Sequence, residues 1–230
     1  MITKSLKPDR IRIFAAAAIY SFVLCASTNA QTPTAMGPTA TEIARSGERS
    51  GSVYRNRLLR FSIPVPEKWT FASEEMNKSM LAEGNKKIKE NESETKQKQF
   101  DNSLANTAIL FTVSKHRVSE PGNLAFLTTG FEDTPDSVSQ LAYADYNKHL
   151  VVTKTAGGRL VKDISTVRIA GKDVLVFDAE GMPNGVKISQ RYYVLAHRGG
   201  MLFFIITWLD GGDEERKTLE KMVDSARFDS

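Results

Sequence analysis

Four segments in the last third of the chain predict consecutive β-strands, and one of them contains an apolar run that restricts the possible folds. The strands are predicted over residues 160–169, 172–180, 186–197 and 201–209. Residues 201–206 read Met-Leu-Phe-Phe-Ile-Ile, which is apolar without alternation. A strand that is apolar on both faces has to be covered on both faces. We therefore expect helices on each side of the sheet.

Short turns between these strands predict an antiparallel meander. The joints are Ala170-Gly171, Pro183-Asn184-Gly185 and Arg198-Gly199-Gly200, all rich in turn-forming residues. A closing helix is expected after them, capped by Asp213 and packed inward through Leu219, Met222, Val223 and Ala226. The predicted fold class is α+β, a three-layer α/β/α sandwich with a largely antiparallel sheet, this C-terminal four-strand meander and the closing helix.

The middle of the chain adds two strands and two helices to this prediction. Alternating apolar residues predict a strand that ends at Pro64, followed by Trp69 as a core residue, and a second strand over 106–114. One helix is expected to begin after Ser73. The other is expected to begin with Thr134 as N-cap, with apolar residues every fourth position: Val138, Ala142, Tyr146 and Leu150.

Residues 83–99 lie between these elements and are almost entirely polar. Their five lysines and four glutamates nearly cancel, and Ile88 is their only apolar residue. The segment is interpreted as a solvated helix end or loop, with a docking arm for a partner as the alternative.

The N-terminus has the three parts of a secretory signal peptide. A basic stretch through Arg12 is followed by an apolar run over 13–24, and small residues precede a cleavage point after Ala30. Residues 1–30 are predicted to be the signal peptide, so a periplasmic or secreted location without a stable membrane anchor is expected. Two alternatives stay open: an uncleaved signal anchor, and lipidation of Cys25, although Leu24 is larger than a lipobox favours before the cysteine.

Residues 31–52 are rich in Thr, Ser, Gly and Pro, and they are predicted to be a flexible linker. The folded domain is therefore predicted to cover residues 53–230. Cys25 is the only cysteine in the chain, so cleavage after Ala30 leaves a mature protein without one. A disulfide, a thiolate zinc site and a cysteine nucleophile are then excluded.

The charge of the chain gives no reason to expect a nucleic-acid partner. The net charge is +4, but residues 1–30 contribute +3 of it, and the remaining 200 residues carry 27 basic and 26 acidic side chains. A balanced domain lacks the electrostatic pattern that binds a polyanion.

Three groups of side chains are candidates for a catalytic, cofactor or metal site, and the pattern of none of them predicts one. The histidines His116, His149 and His197 lack metal-ligand spacing and are interpreted as surface or strand-end residues. The second group is the acidic residues near the closing helix, which are expected to compensate the dipole at its N-terminus rather than bind calcium: Asp210, Asp213, Glu214 and Glu215. The third group is expected to form a cross-strand ion pair rather than the rim of a ligand cleft: Asp178, Arg191 and Tyr193.

Three stretches of the sequence carry a resemblance to a known superfamily: LRFSIPVPEKWTF, GKDVLVFDAEG with RYYVLAHRGGMLFFIITW, and LEKMVDSARF. In order and pattern the chain resembles the PsbP-like superfamily, from Val53 to Phe228. The resemblance implies a binding or assembly role without catalysis. The expected function is a non-enzymatic protein that binds a protein partner in the bacterial envelope. The alternatives are a carrier of a small hydrophobic or anionic ligand in a cleft beside the sheet, and a hydrolase with an unrecognised site.

Overall fold

The computed structural model describes residues 38–90, 92–117 and 124–229. The predicted signal peptide and residues 31–37 of the predicted linker lie outside these ranges. The strands are β1 Gly47–Ser50, β2 Val53–Asn56, β3 Phe61–Pro64, β4 Thr70–Phe71, β5 Thr107–Ser114, β6 Ala125–Asp133, β7 Arg159–Ile169, β8 Lys172–Gly181, β9 Ile188–His197, β10 Gly200–Leu209 and β11 Arg227–Phe228. The α-helices are α1 Ala40–Arg45, α2 Glu74–Lys89, α3 Glu94–Ala105, α4 Gln140–Lys154 and α5 Asp213–Asp224.

Seven strands form one antiparallel sheet in the order β4-β5-β6-β10-β9-β8-β7. The predicted four-strand meander is its β7-β8-β9-β10 half. Arg198 and Gly199 join β9 to β10 in a two-residue turn with φ of 53° and 78°, the left-handed conformation that tight hairpins use. Four further strands form a small second sheet in the order β1-β2-β3-β11.

Both faces of the large sheet are covered, as the apolar run predicts. Phe203 and Ile205 face α2 and α4, whereas Phe204 and Ile206 face α1, α5 and the small sheet. All four are buried, with exposures between 0% and 5%. The three-layer prediction is confirmed, and the small sheet is an addition to one of the outer layers.

The expectation that folded structure begins near Val53 is wrong, because the described part of the predicted linker contains α1 and β1. Thr39 and Glu42 form a capping box, in which each side chain accepts a hydrogen bond from the other residue's backbone N–H, at 3.2 and 2.7 Å. Ile43 is 3% exposed and anchors α1 in the core. Residues from Thr39 onward therefore belong to the folded domain.

A buried asparagine holds the end of α1 against the small sheet. The Asn56 amide donates to the carbonyl of Ile43 at 2.8 Å, and its oxygen accepts from the Ser46 hydroxyl at 2.7 Å and from the Leu59 N–H at 2.9 Å. Because Asn56 is 1% exposed, these bonds replace the water that its amide group loses on folding. Asn56 thereby holds α1 against β2, although it is ten or more residues from the α1 groups that it binds.

Two predicted helix starts differ from the structure. Ser139 rather than Thr134 caps α4, since its hydroxyl accepts from the N–H of Ala142 at 3.1 Å, and Ala142 itself is exposed. Gly212 rather than Asp213 precedes α5, and the position is restricted to glycine because a Cβ there would lie 2.5 Å from the Leu124 carbonyl oxygen. Asp213 is instead the first residue of the helix.

Candidate functional site

The three histidines that the sequence analysis singled out take separate places in the fold. His116 follows β5 and His149 lies on α4, and both are exposed. His197, at the end of β9, is buried, lies 2.6 Å from the Leu59 carbonyl and packs against the ring of Phe228. Burial lowers the pKa of His197, and the charges of Lys172 and Arg198 lower it further.

The acidic residues around the start of α5 are engaged by lysine and arginine side chains. Asp213 pairs with Arg216 at 3.3 Å, Glu214 with Lys217 at 2.8 Å and Glu215 with Lys115 at 3.1 Å. Among the described residues, no group of three or more His, Cys, Asp or Glu side chains is arranged to hold a metal ion.

Asp178 and Arg191 face each other across β8 and β9, as the expected cross-strand ion pair requires. Two parallel hydrogen bonds of 2.7 Å join them, and Arg191 also binds Glu220 on α5 at 2.6 Å. Bonding to Asp178 raises the pKa of Arg191, and burial raises the pKa of the neighbouring Tyr193. The predicted cross-strand ion pair is confirmed, and its extension to Glu220 attaches α5 to the sheet.

The polar segment 83–99 is largely helical, since α2 continues to Lys89 and α3 begins at Glu94. Glu92, in the connection between them, forms an ion pair with Lys154 of α4 and another with Lys96. These bonds lower the pKa of Glu92. The segment is therefore a helical hairpin whose tip is attached to α4.

The concave surface that the structure offers as a candidate site lies at the β5 side of the large sheet. We call it the aromatic groove. Its volume is about 830 Å³, and it runs between α1 and β1 on one side and α2 and the end of α3 on the other. Pockets of this size accommodate ligands of a few hundred daltons or a short segment of chain.

Small side chains along its walls keep the groove open. Ala40 and Ala44 are one helical turn apart on α1, and Ala72 and Ala105 lie at the ends of β4 and α3. Gly47 of β1 is required by close packing, because a Cβ there would lie 1.9 Å from the Tyr54 hydroxyl. The cavity of the groove therefore exists because the residues at these positions are alanine and glycine.

Three aromatic rings form the floor. The ring centroid of Tyr54 lies 4.4 Å from that of Phe111 and 6.5 Å from that of Phe71, and Phe71 and Phe111 are 5.7 Å apart. Burial raises the pKa of Tyr54 to about 12. The floor is apolar apart from the Tyr54 hydroxyl, which donates to the Leu110 carbonyl.

The rim of the groove has an excess of positive charge. Glu48 pairs with Arg57 at 2.9 Å and Glu74 pairs with Lys78 at 2.5 Å, which compensates these two carboxylates. Arg49 lies 4.9 Å over the Phe71 ring and donates to the backbone carbonyls of Gly51 and Glu67. Within the described ranges, neither Arg49 nor the exposed Arg45 has a carboxylate partner.

The groove also borders an open edge of the sheet. β4 pairs only with Val113 and Ser114, so no strand of the described chain lies on the outer side of β5 before that point. The carbonyl of Asn106 faces β6, where it accepts from the N–H of Asp133 at 3.0 Å. Peptide groups alternate in direction along a strand, so those of Ile109 face away from β6 and toward the groove.

A β-bulge completes the site. The register between β5 and β6 shifts between Ile109 and Phe111, which leaves Leu110 as the extra residue. Leu110 and Phe111 consequently both face the core on the Tyr54 side. The Tyr54 hydroxyl lies 3.5 Å from the Leu110 carbonyl.

The groove was not predictable from the sequence, because Arg45, Gly47 and Arg49 lie in a segment whose composition is typical of a linker. The local signal that could have found it is Thr39-x-x-Glu42, which is a capping-box pattern before an apolar residue. The convergence of α1, β2, β4 and β5 has no local signal.

Solved structures show where this architecture occurs. Cyanobacterial PsbP (CyanoP) from Synechocystis superposes with a TM-score of 0.50 over 88% of this chain and 99% of its own, at 8% sequence identity. The fold is PsbP-like. LpqN, described as involved in cell envelope biogenesis of Mycobacterium tuberculosis, gives a TM-score of 0.40 at 12% identity, over 73% of this chain and 82% of its own. The likeness to CyanoP concerns the fold alone.

No protein-family model and no curated protein sequence matches the chain. None of the helices in the described ranges is long and apolar enough to cross a membrane.

Proposed function

We propose that the protein is an exported, non-enzymatic binding protein of the bacterial cell envelope, and that it holds a protein partner in the aromatic groove. The observation that carries the proposal is the groove itself, where three aromatic rings line a cavity of about 830 Å³ beside an open strand edge. Aromatic side chains and arginine are the residues that most often dominate binding energy at protein interfaces. The signal-peptide pattern of residues 1–30 supports export.

Carriage of a small anionic or hydrophobic ligand is the second candidate. Arg45 and Arg49 at the rim favour an anion, and the aromatic floor favours an apolar body. The two candidates use the same groove, so they differ in the kind of molecule found in it.

A photo-crosslinking amino acid at Thr41 tests the proposal in the cells that make the protein. Thr41 is exposed on α1 and lines the groove, whereas Thr153, on α4, is exposed and is not among the groove's lining residues. The proposal predicts a discrete protein adduct from position 41 in the envelope fraction and none from position 153. An adduct of below roughly 1 kDa at position 41 would support the carrier instead. Equal products from both positions, or none from either, would contradict both candidates.

A further inference from the structure

We propose that the partner enters the aromatic groove as an extended peptide segment, which adds as a strand to the open edge of β5 and pairs an acidic residue with Arg45. This inference rests on the proposed function and names the kind of segment that the groove binds. It is carried by three properties of the site: the direction of the β5 peptide groups, an unpartnered amide oxygen in the wall, and the charge of the rim.

The strand edge accounts for the shape of the segment. β4 ends at Phe71, and Ala72 makes the last bond of that row, from its N–H to the Thr112 carbonyl at 2.9 Å. The chain then turns into α2, so the row beside β5 is not continued by the described residues. The open stretch from residue 108 to 111 is roughly 13 Å long, enough for four residues of an added strand. An extended peptide there would continue the row that β4 begins.

Hydrogen bonding favours a peptide over a hydrocarbon ligand. The N–H and C=O of Ile109 face the groove, and the buried Oδ1 of Asn77 in the α2 wall has no hydrogen-bond partner among the described residues. A hydrocarbon chain in the groove would exclude water from the Ile109 peptide groups, and it would supply no hydrogen bonds to them or to the Asn77 oxygen, which is costly. A peptide backbone offers both donors and acceptors at strand spacing.

The charge of the rim accounts for the acidic residue. Arg45 is exposed at the end of α1 and is available for an ion pair, while Arg49 is already bonded to carbonyls and stacked on Phe71. Glu48 and Glu74 are compensated by their own partners. A carboxylate on the peptide would therefore meet a rim whose remaining charge is positive.

The probe is a random 12-residue peptide library displayed on phage and selected on the mature protein, and the enriched peptides are then tested on Thr41→Trp. The tryptophan is intended to fill the groove, and Thr153→Trp is the matched control on α4. The inference predicts enriched peptides that alternate apolar residues with at least one acidic residue. Their affinity should be unchanged for Thr153→Trp and at least roughly tenfold weaker for Thr41→Trp.

Two measurements on an enriched peptide test strand addition and charge separately. Methylating every second backbone nitrogen should weaken binding roughly tenfold or more in one register, where the N–H groups face β5, and leave the other register within about twofold. Arg45→Gln should weaken binding severalfold and reduce its salt dependence, whereas Arg168→Gln, an equal charge change on the exposed edge strand β7, should do neither.

The inference is overturned by equal effects of the two methylation registers, by undiminished binding to Thr41→Trp, or by the absence of enriched peptides. It is also overturned if mass spectrometry of the protein from its native cells shows a bound small anion in the groove. Its failure is distinguishable from failure of the proposed function. A protein adduct at position 41 together with methylation-insensitive peptides would keep the partner and discard strand addition.

Discussion

Phe203 and Phe204 are neighbours in β10 whose rings face opposite layers, so replacing each with alanine tests the two covers of the sheet separately. Phe203 is 5% exposed and packs over Gly130, where an added Cβ would lie 2.2 Å from its ring. Phe204 is 1% exposed and packs edge-on against Phe61 at a centroid distance of 6.2 Å. Neither side chain is exposed enough to reduce the cost of truncation appreciably.

Truncation of a fully buried phenylalanine costs about 3–5 kcal/mol. We therefore expect Phe203→Ala and Phe204→Ala each to lower the free energy of unfolding by that amount. This is a large share of the total of about 5–15 kcal/mol for a domain. Urea denaturation followed by circular dichroism measures it, with Leu141→Ala as control, because Leu141 is 59% exposed on α4 and its truncation should change stability by less than about 0.5 kcal/mol.

Gly130 provides a second readout of the same packing. Gly130→Ala should be destabilising alone, since its methyl group meets the Phe203 ring, and less so in the Phe203→Ala background, where that ring is gone. Some strain should persist, because the Ala108 carbonyl lies 2.9 Å from the added Cβ. A loss of less than about 1 kcal/mol for either phenylalanine would refute two-sided burial, and additive effects of Gly130→Ala and Phe203→Ala would refute the contact.

Three further predictions follow from groups already described. His197 has a pKa below its ordinary value of 6.5 in the folded protein, so the unfolded chain binds a proton there more readily. The free energy of unfolding should therefore fall as the pH falls below about 6.5. In urea titrations at several pH values, His197→Gln should reduce this pH dependence, whereas His149→Gln should not. Arg191→Met leaves Asp178 without its partner and should cost about 1–3 kcal/mol in urea denaturation, whereas adding Asp178→Leu should recover part of that loss; no recovery would contradict the pairing argument. N-terminal sequencing of the protein isolated from the envelope should begin at Gln31, and retention of earlier residues would contradict cleavage after Ala30.

The strand meander and the two-sided burial of β10 were predictable because their signals are local. Turn residues at Ala170-Gly171 and Arg198-Gly199 fix the hairpins, and the run over 201–206 fixes the need for two covers. A two-residue turn at Asn184-Gly185 would pair Pro183 with Val186 and therefore Asp178 with Arg191. The structure has that second pairing, although the loop between β8 and β9 is wider than a two-residue turn and contains a short 3₁₀ segment at Pro183–Gly185. The pairing of Asp178 with Arg191 is therefore the predicted one even though the loop that joins their strands is not.

The start of the domain was not predictable from composition, because α1 and β1 are stabilised by contacts distant in sequence. Ile43 packs into the large core, and Asn56 bonds to the end of α1 across ten or more residues. A Thr-, Ser- and Gly-rich segment whose only large apolar residues are Met36 and Ile43 is typical of a linker, and only tertiary packing makes its described part a piece of the fold. The groove depends on that packing, since α1 and β1 form one of its walls.

The central claim is that the aromatic groove is where the partner binds. The most direct measurement is the amount of the crosslinked partner recovered with the wild-type protein, Thr41→Trp and Thr153→Trp, each expressed at equal level in the native cells. The account predicts equal recovery with the wild type and Thr153→Trp, and at least a tenfold loss with Thr41→Trp, whose urea denaturation midpoint should match that of the control. Undiminished recovery of the partner by a folded Thr41→Trp would contradict it.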